Sequence, residues 1–311
     1  MSQKKQIWRS LEKELEKLEI PTADREKILK NLISLKNQRA NILLVGATGC
    51  GKSSTINALF GISVAKVGNV DPETMDIQKY DLDNMVLWDS PGLGDSPEQD
   101  RRHCEKIISK LAKHDQNGNA LIDLVLVIVD GSSRDMGTVF ELVNQVLIPN
   151  MQNSSNILIA INQCDMAMKG DGWNHASKMP EKSLLDFMDA KVESVTRRVK
   201  EATGVTVEPI YYSAKYHYNL TKLLFYILKN TKEEKAIAIA QNLNEDKDVW
   251  QRDDGRDNYK KKSKSRIQKA LDGAVKGAMT GATVGKIFGP VGEKVGAIVG
   301  GICGFFGGLF D

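Results

Sequence analysis

The sequence predicts an α/β domain: a mostly parallel six-stranded sheet with helices on both faces, plus a helical hairpin before it and another after it. Three observations carry this. Between residues 40 and 230, near-continuous β-branched apolar runs alternate with segments of helical spacing, the pattern of parallel strands buried on both faces. A glycine-rich turn ending in Lys-Ser follows the first run and opens a helix. Composition then shifts sharply beyond residue 230, first to mixed charge and then to glycine.

In chain order, residues 1–39 form an N-terminal helical segment. Leu11, Leu15 and Leu18 recur on one helical face, Pro21 interrupts, and Ile28, Leu32 and Leu35 resume the spacing after Thr22. The domain at 40–230 takes its strands from runs 41–45, 85–88, 122–129, 157–161 and 208–212, with a weaker edge strand at 77–82. Residues 231–258 are polar and mixed in charge and read as a linker or exposed helix. Residues 259–266 are a basic run, and 273–308 are glycine-rich.

Composition narrows the function. A net charge of +3 over 311 residues is too small to indicate nucleic acid by itself. Cys50, Cys104, Cys164 and Cys303 are scattered without a CxxC pair, which fits a reducing compartment. No Cys/His cluster has metal-ligand spacing. The first residues hold no apolar signal core, so a cytoplasmic protein is expected.

The chemistry begins at Gly46-Ala47-Thr48-Gly49-Cys50-Gly51-Lys52-Ser53, a full GxxxxGK[ST] match between a strand and a helix that opens at Ser54. Glycines let backbone N–H groups curl around phosphate oxygens. Lys52 brings positive charge to the β and γ phosphates, Ser53 offers a hydroxyl to Mg²⁺, and the helix N-terminus adds unpaired donors. Asp89-Ser-Pro-Gly92 ends the run 85–88. Asp89 at a strand's carboxyl end is placed to hold Mg²⁺, and the Gly92 N–H to sense a γ-phosphate. Asn162-Gln163-Cys164-Asp165 follows the run 157–161. A carboxylate there accepts two bonds from a guanine edge, which adenine cannot supply. Ser213-Ala214-Lys215 follows the last strand, and its Ala214 N–H is expected to meet the guanine oxygen.

In this order and spacing, the four motifs resemble a P-loop GTPase of the Era/TrmE/septin superfamily over about residues 40–230. The stretch 41–59, with Asp71-Pro-Glu-Thr74, Trp88–Asp95 and Asp130–Arg134, is most similar to the bacterial prophage YfjP-like GTPases. The resemblance implies a G domain that binds GTP and GDP with Mg²⁺, and makes Thr74 the switch threonine that completes the Mg²⁺ shell. It implies catalytic roles for Lys52, Thr74 and Gly92.

Three departures from the family pattern matter. Gln163 stands where a lysine packs along the base. Leu93 follows the DxPG motif, where Ras-like proteins carry a catalytic glutamine. Gly49 stands where potassium-activated relatives have Asn, as in septin-type proteins that pair their nucleotide faces. The Leu93 departure implies slow hydrolysis, about 10⁻⁴ to 10⁻² s⁻¹, with the missing group supplied elsewhere. Arg134 and His103 are candidates across a homodimer face; otherwise they are a surface arginine and a solvated histidine.

Glycines recur every fourth residue from 273 to 289 and again from 292 to 308, with Pro290 between. Each costs about 1 kcal/mol in an exposed helix, so a glycine-zipper hairpin needs close packing, as in membranes. Its second arm, 295–310, is uncharged, but about 24 Å is short of a bilayer core of about 30 Å. Lys260–Arg266 suits anionic cytoplasmic lipid. The tail is expected to associate with the inner membrane face, to oligomerise, or to pack on the chain. The leading function is a slow GTP-hydrolysing switch. Its rivals are a ribosome- or RNA-associated GTPase of the Era/TrmE kind, and a non-enzymatic module that holds GTP within an assembly.

Overall fold

The computed structural model describes residues 21–62, 76–133 and 136–276, with Lys13, Glu16, Gly308 and Phe310. Thr74, Arg134, the first arm of the N-terminal hairpin and most of the glycine-rich tail lie outside the described residues.

Helix α1 (Thr22–Lys36) leads into strand β1 (Ala40–Gly46) and helix α2 (Lys52–Phe60). Strands β2 (Gln78–Leu82) and β3 (Met85–Asp89) form a tight antiparallel pair. Helix α3 (Pro97–Leu111) opens on a Ser96 cap whose side chain accepts from Gln99 N, satisfying one orphan donor of the first turn. Strand β4 (Leu124–Asp130), helix α4 (Gly137–Glu141) with a π-helical turn at Leu142–Leu147, and strand β5 (Ile157–Asn162) follow. A small hairpin, β6 (Trp173–Asn174) and β7 (Met179–Pro180), precedes helix α5 (Lys182–Thr203). Strand β8 (Ile210–Tyr211) and helix α6 (Leu220–Lys229) complete the sheet layer, and α7 (Ala236–Ala240) and α8 (Tyr259–Lys276) pack outside it.

The six-stranded sheet runs β2-β3-β1-β4-β5-β8, parallel except for β2 at the edge. Strand period two sends Ile42 and Leu44 into one core, with α1, α2, α6, α7 and α8, and Leu43 and Val45 into the other, with α3, α4 and α5. The chain leaves β1 toward β3 on one side and β4 on the other. That reversal opens a crevice beyond the carboxyl end of β1, the place where open α/β sheets bind ligands.

Strand β8 is shorter than the run 208–212, because Pro209 has no N–H for the ladder; only Ile210 and Tyr211 pair with β5. Segment 231–258 is not the exposed linker that its average composition suggests. All five residues of α7, Ala236-Ile-Ala-Ile-Ala240, are fully buried, as is Trp250. Charged neighbours mask this apolar quintet in a composition average. Ile237 and Ile239 alone contribute about 1.5–3 kcal/mol each by burial.

The basic run also differs from a free cationic tether. It forms the first turns of α8, with Tyr259 and Ser263 buried. Arg266 Nε donates to Leu228 O at 2.6 Å and its Nη2 to Lys229 O at 3.3 Å, satisfying orphan carbonyls at the end of α6, and Nη2 also donates to Thr231 O just beyond it at 2.9 Å. Lys260 Nζ donates to Phe310 O at 2.8 Å, and the Phe310 ring meets Trp250 edge-on at 5.7 Å. The end of the tail therefore rests on the domain. Among the described residues, no helix is long and apolar enough to cross a membrane.

Candidate functional site

The crevice gathers four loops at the carboxyl ends of β1, β3, β5 and β8. The loop after β1 (residues 47–51) carries Gly49 at φ 77° and Gly51 at φ 92°. Gly51 has a second constraint, since a Cβ there would run into Asn162 Nδ2. Ser53 stands exposed at the start of α2, and Lys52 Nζ rests on the carbonyls of Gly46 and Ala47, each at 3.2 Å. Cys50 is buried, and that burial pushes its thiol up against the opposing pull of Lys52. It is a small packing residue, not an activated thiol.

The loop after β3 is stitched to this loop. Thr48 N donates to Leu93 O at 2.9 Å and Leu93 N to Gly46 O at 3.2 Å. Gly92 approaches so closely that a Cβ would collide with Thr48. Leu93 is buried in the core, with no polar atom to offer a water. His103 of α3 is not a solvated histidine: it is buried, with Nδ1 3.2 Å from Gly92 O.

The loops after β5 and β8 are joined by Asn162. Its Nδ2 donates to Cys50 O at 3.0 Å, and its Oδ1 accepts from Ala214 N at 3.0 Å. The Ala214 N–H expected for a guanine oxygen is thus engaged already, and a base would have to share it. Ser213 is fully buried, and its Oγ accepts from Tyr216 N, so it shapes the loop. Lys215 is exposed, with Nζ 4.9 Å from the Tyr216 ring centroid. Gln163 Nε2 donates to Gly49 O at 2.7 Å, which ties the base loop to the phosphate loop.

Two carboxylates stand out. Asp89 and Asp165 each have one buried oxygen, Oδ1, without a hydrogen-bond partner. Burial raises the Asp89 carboxyl to about 6, against the lowering effect of Lys52. An unmatched carboxylate oxygen at low dielectric is costly, and both sit where the phosphate and base motifs place them. A hard cation at Asp89 and a two-donor base edge at Asp165 match the chemistry of these atoms.

Sequence reasoning missed three residues, Thr55, Tyr212 and Asn219. Thr55 Oγ1 and Tyr212 OH share a 2.6 Å bond in the core, joining α2 to the residue beyond β8. Asn219 Nδ2 donates to Tyr211 O at 3.1 Å and its Oδ1 accepts from Asp254 N at 2.8 Å. None of these has a sequence signal, because Tyr212 lies 157 residues from Thr55 and Asp254 lies 35 from Asn219.

Residues 41–163 match the family model described as 50S ribosome-binding GTPase. Over these residues the chain is similar to P-loop GTPase domains of the TrmE/Era/septin type. It is 27% identical over 176 residues to the tRNA modification GTPase MnmE of Marinomonas sp., covering 55% of this chain and 36% of that protein. It is 28% identical over 163 residues to the uncharacterized protein YfjP of Escherichia coli, covering 51% and 53%. The chain thus spans about half or less of the length of these relatives. Among solved structures, a probable GTP-binding protein engB is 21% identical, covering 61% of this chain and 98% of that one at a TM-score of 0.42. Toc33 from Arabidopsis thaliana, in complex with GDP and Mg²⁺, is 17% identical, covering 67% and 83% at 0.42.

Proposed function

We propose that this GTPase domain binds GTP and GDP with Mg²⁺ and hydrolyses GTP slowly, as a switch. The observation that carries the reading is the pair of buried, unmatched carboxylate oxygens at opposite ends of one crevice, Asp89 and Asp165. Ser53 and Asp89 would hold the ion, with Thr74 completing its shell. When bound, Mg²⁺ neutralises charge on the β and γ phosphates. Lys52 exchanges its two carbonyl contacts for charge-assisted bonds to phosphate oxygens. The Gly92 N–H senses the γ-phosphate while its carbonyl lies against His103.

Leu93 leaves the attacking water without a local side-chain guide. Turnover by the chain alone is therefore expected at about 10⁻⁴ to 10⁻² s⁻¹, with acceleration by a second copy across the nucleotide face. Single-turnover hydrolysis over a range of protein concentrations tests both points. A rate that rises with concentration supports the reading. Turnover of roughly ten per second in dilute protein overturns it, being far above the unassisted range.

A second reading concerns the tail. Lys229, Lys261, Lys262 and Lys269 line one groove beside Phe225, which favours docking of this face on an anionic membrane surface. Flotation with anionic liposomes, and its loss in a Lys261→Glu, Lys262→Glu, Lys269→Glu variant, tests it. Equal flotation of a folded triple variant contradicts it.

A further inference from the structure

We propose that the β6–β7 hairpin, through Trp173 and Tyr216, is a positioning clamp that sets guanine selectivity. The proposal rests on the guanine reading of Asp165 above. The two base-facing loops, 163–181 and 213–219, hold every non-glycine residue of positive φ among the described residues: Gln163, Met168, Lys169, Lys178, His217 and Asn219. Each such residue carries about 1–2 kcal/mol of backbone strain, so something must hold the loops in shape. Backbone bonds supply part of the restraint. Cys164 N donates to Tyr212 O, and Ser213 and Tyr218 exchange a pair of bonds.

Two rings of the first loop bridge to the second: His175, edge-on to Tyr216 at 6.0 Å, and the larger Trp173. Trp173 is 5% exposed. Its ring lies 5.2 Å from Tyr216, tilted by 36°, and 5.8 Å from Tyr218, edge-on at 82°. These are favourable aromatic geometries. Tyr216 OH also lies 3.3 Å from His175 Nδ1 at the hairpin's tip. The hairpin is itself anchored, with Glu181 N donating to Gly172 O at 2.7 Å. Tyr216 follows Ala214 and Lys215 by two and one residues, while Trp173 lies on the loop that carries Asp165. The stack therefore fixes the Asp165 carboxylate relative to the Ala214 amide, the two groups that would meet neighbouring positions on one edge of the base. Tyr216 need not touch the nucleotide to set its selectivity.

The test compares affinities for GDP and for inosine diphosphate, which lacks the exocyclic amine and so removes one of the two bonds to Asp165. Wild type is expected to prefer GDP. Tyr216→Ala is expected to lower that preference by about tenfold, the size of one misplaced hydrogen bond. Tyr216→Phe, which keeps the stack, holds the preference within about twofold. Melting curves check folding, and Tyr216→Leu replaces the alanine variant if that one is unfolded. A folded variant lacking the aromatic ring, with an unchanged GDP to inosine diphosphate ratio, overturns the clamp while leaving guanine binding intact. A wild type that takes up adenine and guanine diphosphates alike removes the guanine reading, and the clamp with it.

Discussion

The two ends of the crevice are built by different physics. At the phosphate end, the recognition groups are backbone amides curled by Gly49 and Gly51, with a few charges added: Lys52, Ser53 and Asp89. At the base end the selecting group is a side chain, Asp165, beside the Ala214 amide that Asn162 holds, in strained loops with aromatic contacts. A backbone cradle needs fixed residue types at fixed spacing, so it tolerates little change and binds any triphosphate. A side-chain site selects one base, and its accuracy depends on restraints from elsewhere in the fold.

The largest expected effect separates the ends outright. Lys52→Ala is expected to weaken guanine triphosphate binding by at least about 100-fold, from the loss of charge-assisted bonds, for any purine. Titration with GTP and ATP checks this; an equal affinity in the variant would falsify the phosphate assignment. Asp165→Asn is expected to cost about 100-fold in guanine over adenine preference while leaving phosphate affinity in place. Competition between GDP and ADP reads that ratio, and an intact preference contradicts the base assignment.

Asp89 sharpens the comparison through pH. Its carboxyl sits at about 6 in the fold, against 3.8 for the free group. The folded state thus holds a proton that the unfolded chain has released between these values. Stability of the nucleotide-free protein should fall as pH rises through that window, by about 3 kcal/mol in all. Mg²⁺ needs the ionised form, so its binding should weaken by about tenfold per unit below pH 6. Asp89→Asn is expected to raise the nucleotide-free melting temperature at pH 7 and to remove the pH dependence of Mg²⁺-linked binding. Calorimetry from pH 5 to 8 checks both; a variant that melts lower at pH 7 contradicts the cost assigned to burial.

A comparable effect on stability, with a smaller one on binding, concerns the joint between the ends. Asn162→Ala frees both Cys50 O and Ala214 N. Two unmatched buried groups should cost about 2–4 kcal/mol of stability and weaken GDP binding. Chemical unfolding and GDP titration together test this; a change in one loop alone, seen by hydrogen exchange, shows that Asn162 does not couple them.

The same contrast explains what could be read in the sequence. Lys52, Asp89 and Asp165 were legible because strand–loop–helix context and spacing fix their chemistry, and the sheet followed from its β-branched runs. Three features were not. Asn162 was legible as a base-site residue, but its hold on the Ala214 amide depends on a residue 52 positions away. Helix α7 was hidden because its five buried residues sit among charges. Arg266 looked like a lipid-facing cation, but its guanidinium closes the end of α6, a role set by packing rather than by charge pattern.

Calorimetric titration of the purified chain with GDP and with ADP, each in the presence of Mg²⁺, tests the central claim most directly. The account predicts saturable heat with GDP and a binding constant at least about 100-fold weaker for ADP. Equal affinities, or no heat with GDP, would contradict it.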